Sequence, residues 1–215
     1  MRIIVIAFLF LFLPKSDAQI RAVTENGDEV ILNNNGTWEY TSVNNQNTEE
    51  QEIIPLNSNK FEKDKDASFL LKSTIVNCGF WLDPKKWIVT KAKTNEDAEF
   101  SVKHNKKGIY SMIITEEIEV PLTSLKEIAL TNARNVASDM KVLNEEYRLI
   151  NDIKVLHLKL SGKIRGIDFI YFGYYYSNAS GTVQFITYSS AKIIEENVKE
   201  CEDLLNGLVL LEDKK

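Results

Sequence analysis

The segment Ile167–Tyr176 constrains the fold of this chain more strongly than any other part of the sequence. Its large apolar side chains occupy both alternating sets of positions rather than one. Successive side chains of a β-strand point to opposite faces of the sheet. One face is therefore predicted to carry Ile167, Phe169, Tyr171 and Tyr175, and the other Ile170, Phe172, Tyr174 and Tyr176. Both faces of the sheet must then be covered at this strand.

This strand belongs to a predicted meander of four consecutive strands. Apolar alternation bounded by turn residues predicts strands over Val142–Ile150, Ile153–Leu160, Ile167–Tyr176 and Thr182–Ser189. Residues that favour tight turns cluster between them, which predicts turns at Asn151-Asp152, Ser161-Gly162 and Asn178-Ala179-Ser180-Gly181. Connections this short join neighbouring antiparallel strands.

Two helices are predicted to cover the sheet. The first follows Pro121, is capped by Thr123 or Ser124, and has an apolar stripe of Leu125, Ile128, Ala129, Val136 and Met140. The second is amphipathic and stops at Gly207, with apolar positions at Ile194, Val198, Cys201 and Leu205. Residues 208–211 are predicted to form a closing strand. The predicted fold class is therefore α+β, an antiparallel sheet covered by helices, with a small N-terminal β-hairpin appendage.

The main domain is predicted to span residues 61–213. Near its start, Trp81–Trp87 is predicted to be two strands separated by a turn at Pro84, because proline fixes its own φ and biases Asp83 away from helix. A hairpin is predicted next, with strands over residues 98–104 and 109–120. In its first strand apolar and polar side chains alternate, as in a half-buried strand.

Three segments are predicted before the main domain. Residues 1–18 are typical of a secretory signal peptide, with an unbroken apolar run from Ile3 to Leu13 and cleavage after Ala18. Residues 19–40 are predicted to be a small β module, and residues 41–60, rich in Asn, Gln, Thr and Glu, a flexible linker. The apolar run is shorter than the roughly 20 residues that span a bilayer. The expected location is therefore periplasmic or secreted, and the protein is not expected to be integral to a membrane after signal cleavage.

Charge excludes one class of partner. The chain has 26 Lys and Arg against 31 Asp and Glu, a net charge of −5. Nucleic-acid binding depends on clustered basic side chains that neutralise phosphates, so nucleic acid is not an expected partner.

The residues that could carry chemistry are few. Cys78 and Cys201 are the two cysteines, and in an exported protein they either form a disulfide or pack as small apolar side chains. His104 and His157 are isolated in strand patterns and lack metal-ligand spacing. No nucleophile elbow, phosphate loop or dinucleotide motif occurs. No catalytic, cofactor-binding or metal-ligating residues are predicted, and the enzyme alternative is a hydrolase or thiol enzyme that pairs Cys78 with a histidine.

Two resemblances follow from these patterns. Residues 68–211 resemble the PsbP-like fold, which includes DcrB-like periplasmic domains. The resemblance rests on Trp81–Trp87, the helix at residues 124–140, the Asn151-Asp152 turn, the Gly166–Phe172 run and the terminal helix ending at Gly207. Residues 22–40 are similar to a short β module near the start of exported proteins of Bacteroidetes-type bacteria. The PsbP-like resemblance implies protein or small-ligand binding without chemistry, and no binding residue transfers from it. No cofactor is expected.

The expected function is that of a non-catalytic exported accessory or binding protein, whose partner is an unidentified envelope protein or small ligand. An envelope assembly or structural factor is the other non-enzymatic alternative. Aromatic side chains with one polar end are favoured at interfaces. The interface candidates are therefore Trp81, Trp87, Tyr174 and Tyr176, although the same residues also serve as core side chains in layered domains.

Overall fold

The computed structural model describes residues 20–23, 29–33, 36–40, 54–91 and 96–211. The chain divides into two compact units, Met1–Gln51 and Glu52–Lys215. The predicted signal peptide, residues 24–28 of the predicted β module and most of the predicted linker lie outside the described residues.

The first unit contains a three-stranded antiparallel sheet in the order β1-β2-β3. Its strands are β1 (Ile20–Val23), β2 (Glu29–Leu32) and β3 (Trp38–Tyr40). Gly36 adopts a φ of 81° in the connection between β2 and β3, a left-handed conformation that glycine accepts without strain. Val30 is buried, whereas Trp38 is 55% exposed.

The second unit is built on an eight-stranded sheet in the order β4-β10-β11-β12-β13-β9-β8-β7. Only β4 pairs in parallel, and it does so with β10. The strands are β4 (Leu56–Phe61), β7 (Trp87–Lys91), β8 (Ala98–His104), β9 (Tyr110–Glu116), β10 (Lys141–Ile150), β11 (Ile153–Ile164), β12 (Ile167–Asn178) and β13 (Gly181–Ser190). The predicted meander is confirmed as β10 to β13.

A second, three-stranded sheet and three helices complete this unit. The sheet has the order β14-β6-β5 and contains β5 (Phe69–Lys72), β6 (Cys78–Leu82) and β14 (Leu208–Leu210). The helices are α1 (Leu122–Val136), α2 (Ala191–Glu196) and α3 (Val198–Leu205). The single predicted C-terminal helix is thus broken at Asn197, which has a non-helical φ of −135°.

Two hydrophobic cores lie on the two faces of β12. The even-numbered side chains Ile170, Phe172 and Tyr174 join a core that includes residues of β6, α3 and β14. The odd-numbered Tyr171 and Tyr175 join a second core beneath α1. The sequence prediction that both faces of this strand are covered is confirmed.

Two predicted boundaries are wrong. Residues 56–60 are not linker: they form most of β4, held by backbone hydrogen bonds that include Tyr147 N–H to Pro55 O at 2.8 Å. The polar composition of these residues led to the linker prediction. It suits an edge strand, because the outward side chains of such a strand remain in water. The turn predicted at Ser161-Gly162 lies instead at Arg165-Gly166, where φ is 51° and 82°. Gly162 is inside β11, and a glycine suits this position because a Cβ there would stand 3.1 Å from Met140 Cα.

Close backbone approach also explains Gly207, which the sequence identified only as a helix stop. A Cβ at this position would lie 2.0 Å from the carbonyl oxygen of Trp81. Trp81 N–H donates to Gly207 O at 2.8 Å, so the chain leaving α3 runs directly against β6. Only glycine allows that approach, and it positions β14 for pairing with β6.

Candidate ligand-binding cleft

A cleft of about 300 Å³ lies between α1 and the eight-stranded sheet. We call it the α1 cleft. Its walls come from α1 and from strands β9, β11, β12 and β13, with Asp97 in the turn immediately before β8. The lining residues are Asp97, Met112, Ile114, Ala129, Asn132, Ala133, Asn135, Val136, Leu160, Tyr171, Tyr175, Gln184 and Ile186.

The sequence of α1 leaves room for the cleft. Leu125, Ala129 and Leu130 are the buried residues of the helix, and the cleft wall beside them is formed by small alanines. Val136, predicted as part of the apolar stripe, is 58% exposed and lies at the rim. The helix begins after Pro121 with no side-chain cap, so the predicted cap at Thr123 or Ser124 is wrong. Pro121 is the N-cap residue and has an extended backbone, with φ −51° and ψ 138°.

The floor of the cleft contains two buried polar side chains. Tyr175 and Gln184 are directly opposite each other on β12 and β13, and are 2% and 5% exposed. Both side chains line the cleft. Burial raises the pKa of Tyr175, which keeps its hydroxyl protonated as a hydrogen-bond donor. A ligand that fills the cleft would contact both residues.

Position 173 separates the two tyrosines of the cleft. Gly173 lies between Tyr171 and Tyr175 on the same face of β12, and Ile186 Cγ1 lies 3.0 Å from where a Cβ on this glycine would be. The side chain of Ile186 therefore occupies the space that a larger residue at position 173 would take. A side chain there would push Ile186 into the cleft.

A stack of tyrosines continues the cleft across the sheet. Tyr110, Tyr188 and Tyr171 are in register on β9, β13 and β12. The rings of Tyr110 and Tyr188 stack at a centroid distance of 5.9 Å, and those of Tyr188 and Tyr171 at 5.6 Å. Burial raises the pKa of both Tyr171 and Tyr188, and each neighbouring tyrosine adds to the effect. The stack fixes the position of Tyr171 at the cleft wall.

The opposite face of the sheet holds a buried polar network. Arg148 Nη1 donates to the Tyr174 hydroxyl at 3.1 Å and to Glu202 Oε1 at 3.0 Å, and the Tyr174 hydroxyl donates to Asn206 Oδ1 at 2.9 Å. Burial raises the pKa of Tyr174 to about 12 against the opposing effect of Arg148. Arg148 and Tyr174 are 7% and 0% exposed, so this network ties β10, β12 and α3 together rather than forming an accessible site.

The structure separates the four predicted interface aromatics. Trp87 and Tyr174 are only 5% and 0% exposed, so the prediction that they belong to an accessible interface is wrong. Trp81 and Tyr176 are half-buried; Lys63 Nζ lies 5.1 Å from the ring centroid of Trp81, and Tyr176 packs against the core. The reason lies in strand parity: the even-numbered side chains of β12 face α2, α3 and β6. The odd-numbered Tyr171 and Tyr175 line the cleft instead.

Cys78 and Cys201 are free thiols, 1% and 0% exposed, in one hydrophobic core. The structure therefore has the packed apolar alternative rather than the disulfide. Burial raises the pKa of Cys78 to about 12 and that of Cys201 to about 11, so neither thiol ionises near neutral pH.

Neither histidine activates Cys78. His104 Nδ1 accepts hydrogen bonds from the backbone N–H groups of Lys106 and Lys107, and His157 contacts Phe172 edge-on at 4.6 Å. No hydrogen bond between described residues joins Cys78 to an imidazole. The described residues also contain no group of three or more His, Cys, Asp or Glu side chains arranged to hold a metal. In residues 54–91 and 96–211, no helix has the length and apolarity needed to cross a membrane.

Sequence reasoning missed Gln184 as a site residue. It stands within the otherwise apolar strand pattern Thr182–Ser189, and that pattern alone gave no reason to separate it from an ordinary sheet position. In the sequence, Asn132 and Asn135 lie between the apolar positions Ala129 and Val136 of the predicted stripe, and both line the cleft. The sequence therefore offered only a set of amides beside an apolar stripe. These amides form one site because the fold places α1 over β13.

Comparisons with solved structures identify the fold. The solution structure of cyanobacterial PsbP (CyanoP) from Synechocystis sp. PCC 6803 matches with a TM-score of 0.50 and 9% identity, over 66% of this chain and 91% of that chain. This likeness confirms the PsbP-like fold predicted from the sequence, and at this identity it concerns the fold alone.

Two other solved structures are similar at lower TM-scores. PA94 from Pseudomonas aeruginosa, described as a protein of unknown function, has a TM-score of 0.41 and 9% identity, over 68% of this chain and 98% of that chain. LpqN from Mycobacterium tuberculosis, described as involved in cell envelope biogenesis, has a TM-score of 0.37 and 9% identity, over 74% of this chain and 82% of that chain. No protein-family profile and no curated protein sequence matches the chain.

Proposed function

We propose that this chain is an exported, non-catalytic binding protein whose PsbP-like domain takes a small ligand in the α1 cleft. The observation that carries the proposal is the cavity of about 300 Å³ beside α1, whose lining includes the buried side chain of Gln184. A buried polar group left without a partner costs about 1–3 kcal/mol. A ligand that covers the Gln184 amide is therefore expected to hydrogen-bond to it.

The dimensions of the cleft support the same proposal. Small-molecule sites are concave, largely apolar, and contain a few placed polar groups, with volumes of about 300–1,000 Å³. The α1 cleft lies at the lower end of this range and combines apolar walls from Leu160 and Ile186 with the amides of Gln184 and Asn132. It therefore suits a compact ligand.

A binding role without chemistry is supported by the state of the one candidate nucleophile. Cys78 is 1% exposed, and burial raises the pKa of its thiol to about 12. A thiol enzyme needs an accessible, low-pKa cysteine beside a base. The hydrolase or thiol-enzyme alternative is therefore disfavoured.

Export is proposed from the sequence of residues 1–18 and is tested separately. Protein recovered from the envelope or culture fluid of its host is expected to begin at Gln19, as N-terminal sequencing would show. Recovery only as the uncleaved chain in the cytosol would contradict export and leave the cleft proposal untouched.

The cleft is tested with the neutral fluorescent dye phenylnaphthylamine as a general apolar probe. We expect a saturable rise in dye fluorescence with the wild-type protein. Ala133→Trp should abolish it, because Ala133 lines the cleft and an indole would fill it. Thr131→Trp is the matched control, since Thr131 is exposed on α1 and does not line the cleft. Equal dye binding by both variants, or no saturable binding at all, would contradict the proposal.

A further inference from the structure

The charges around the α1 cleft restrict the ligand. Its described lining contains one carboxylate, Asp97, and no Lys, Arg or His side chain. A phosphate or carboxylate ligand would meet no cation in this lining, although charge-assisted pairs are the strongest hydrogen bonds such ligands make. The cleft is therefore suited to a ligand without charge.

The polar groups of the lining narrow the ligand further. Gln184, Asn132 and Asn135 are carboxamides, each with a donor and an acceptor, and the Tyr175 hydroxyl also does both. Gln184 is 5% exposed and Tyr175 is 2% exposed, so the ligand rather than bulk water must satisfy these groups when the cleft is full. A purely apolar ligand would leave them unpaired. Hydroxyl groups, which donate and accept, match this set.

The walls of the cleft supply the complementary apolar contact. Tyr171 and Tyr175 line one side, and Leu160 and Ile186 lie beside them. Tyr171 is held in place by stacking on Tyr188 at 5.6 Å, so its position does not have to be fixed on binding. Rigid aromatic rings beside side-chain amides suit a compact molecule with polar edges and C–H faces.

We propose that the α1 cleft binds an uncharged saccharide of one or two sugar rings. A pyranose ring has hydroxyl groups at its edge and C–H groups on its faces, which match the amides and the tyrosine rings respectively. The proposal rests on the proposed function of the cleft as a ligand site and adds the ligand class. Gln184 is assigned the central hydrogen-bonding role, since it is the most buried of the three amides.

The test is a titration of the full chain, followed by NMR or calorimetry, with a panel of neutral mono- and disaccharides, glucuronate, laurate and adenosine at millimolar concentration. We expect at least one neutral saccharide to bind and glucuronate and laurate not to bind. Gln184→Leu should weaken saccharide binding about tenfold, equivalent to about 1.4 kcal/mol. It should retain the binding of phenylnaphthylamine, which needs no hydrogen bond. Asn144→Leu is the control, because Asn144 is an exposed amide on β10 outside the cleft.

The outcomes separate this inference from the function it rests on. Dye binding blocked by Ala133→Trp, without binding of any neutral saccharide, would overturn the saccharide class and leave the cleft as a ligand site. Binding of laurate, glucuronate or adenosine in place of neutral saccharides would overturn it equally. Saccharide binding unchanged in Gln184→Leu would remove the assigned role of the amide. Absence of both dye and saccharide binding would reject both proposals.

Discussion

His157 is a buried residue whose ring has no hydrogen bond. It is 1% exposed on β11, both ring nitrogens lack a partner among the described residues, and the nearest carboxylate oxygen, Glu146 Oε1, is 4.0 Å from Nδ1. Burial, together with the charges of Arg148 and Lys159, lowers the pKa of His157 from 6.5 to about 3. The imidazole is therefore neutral in the folded protein at any pH above this value.

This shift predicts a loss of stability in mild acid. Between about pH 6.5 and pH 3 the unfolded chain binds a proton at this histidine that the folded chain does not. The free energy of unfolding therefore falls as pH falls, by up to about 1.4 kcal/mol per pH unit. His157→Phe should reduce this slope between about pH 5 and pH 6.5, above the range where carboxylates titrate. Urea unfolding at several pH values measures how the free energy of unfolding changes with pH. The same pH dependence in wild type and His157→Phe would contradict the burial of a neutral imidazole.

Single residues were only partly predictable from the sequence. The alternation of β12 correctly assigned its side chains to two faces, but did not say which face would be more open. Tyr174 and Trp87 were therefore chosen as interface candidates, and both are buried, whereas Tyr171 and Tyr175 line the cleft. The difference depends on how fully each face is covered: α2, α3 and β6 pack over one, and α1 alone over the part of the other that contains the cleft.

At the scale of elements, local patterns predicted the strands that pair with their neighbours in sequence. Hairpin register follows from short turns, as at Asn151-Asp152, where φ is 46° and 66°. Two strands depended on distant pairing and were not predictable in this way. Strand β4 pairs in parallel with β10, and β6 leaves its neighbour β7 to pair with β5 and β14. Strand β5 directly precedes β6, but β4 and β10, like β6 and β14, lie far apart in sequence, so neither polarity nor turn residues identified these two pairings.

Strand β4 should contribute to stability through Phe61 rather than through its whole length. Phe61 is half-buried against the main core, and the Arg148 guanidinium lies 4.5 Å from its ring centroid. Phe61→Ala should lower the free energy of unfolding by about 2 kcal/mol, less than the 3–5 kcal/mol typical of a fully buried phenylalanine. Leu56→Ala on the same strand is the control, because Leu56 is 56% exposed and should change stability by less than about 0.5 kcal/mol.

Denaturant unfolding of both variants tests the docking of β4. Equal, small effects of the two substitutions would mean that Phe61 is not packed against the core. If Leu56→Ala lowered the free energy of unfolding as much as Phe61→Ala, the strand would instead be buried on its other side.

At the scale of the whole molecule, the main core is assembled from distant parts of the chain. Cys78 comes from β6 and Cys201 from α3, and β14 links the two regions by pairing with β6. The sequence predicted the apolar positions of both regions but left the disulfide open, because connectivity depends on how β6 and α3 meet. The packed core excludes water from both thiols, which makes them inert even in an oxidising compartment.

The two thiols should therefore make the fold labile in alkali. The ordinary pKa of 9.0 applies to each cysteine in the unfolded chain, whereas burial raises the folded values to about 12 and 11. The unfolded state loses these protons first, so the contribution of the thiols to stability is constant below about pH 9 and falls as pH rises toward about 11 to 12. Each thiol lowers the free energy of unfolding by up to about 1.4 kcal/mol per pH unit in this range. The pair Cys78→Ala and Cys201→Ala should flatten this slope between about pH 9 and pH 10, before tyrosines ionise.

A thiol reagent provides an independent measurement at neutral pH. Native protein treated with dithiobisnitrobenzoate should react only as fast as it unfolds, and denatured protein should release two equivalents of chromophore, because both cysteines are free. Rapid reaction of the native protein would mean that the core around β6 and α3 opens to solvent. A reductant-dependent mobility shift, absent in Cys78→Ala, would instead establish the disulfide and require β6 and α3 to meet differently. Slow native reaction with both thiols released on unfolding is the result that a closed, reduced core predicts.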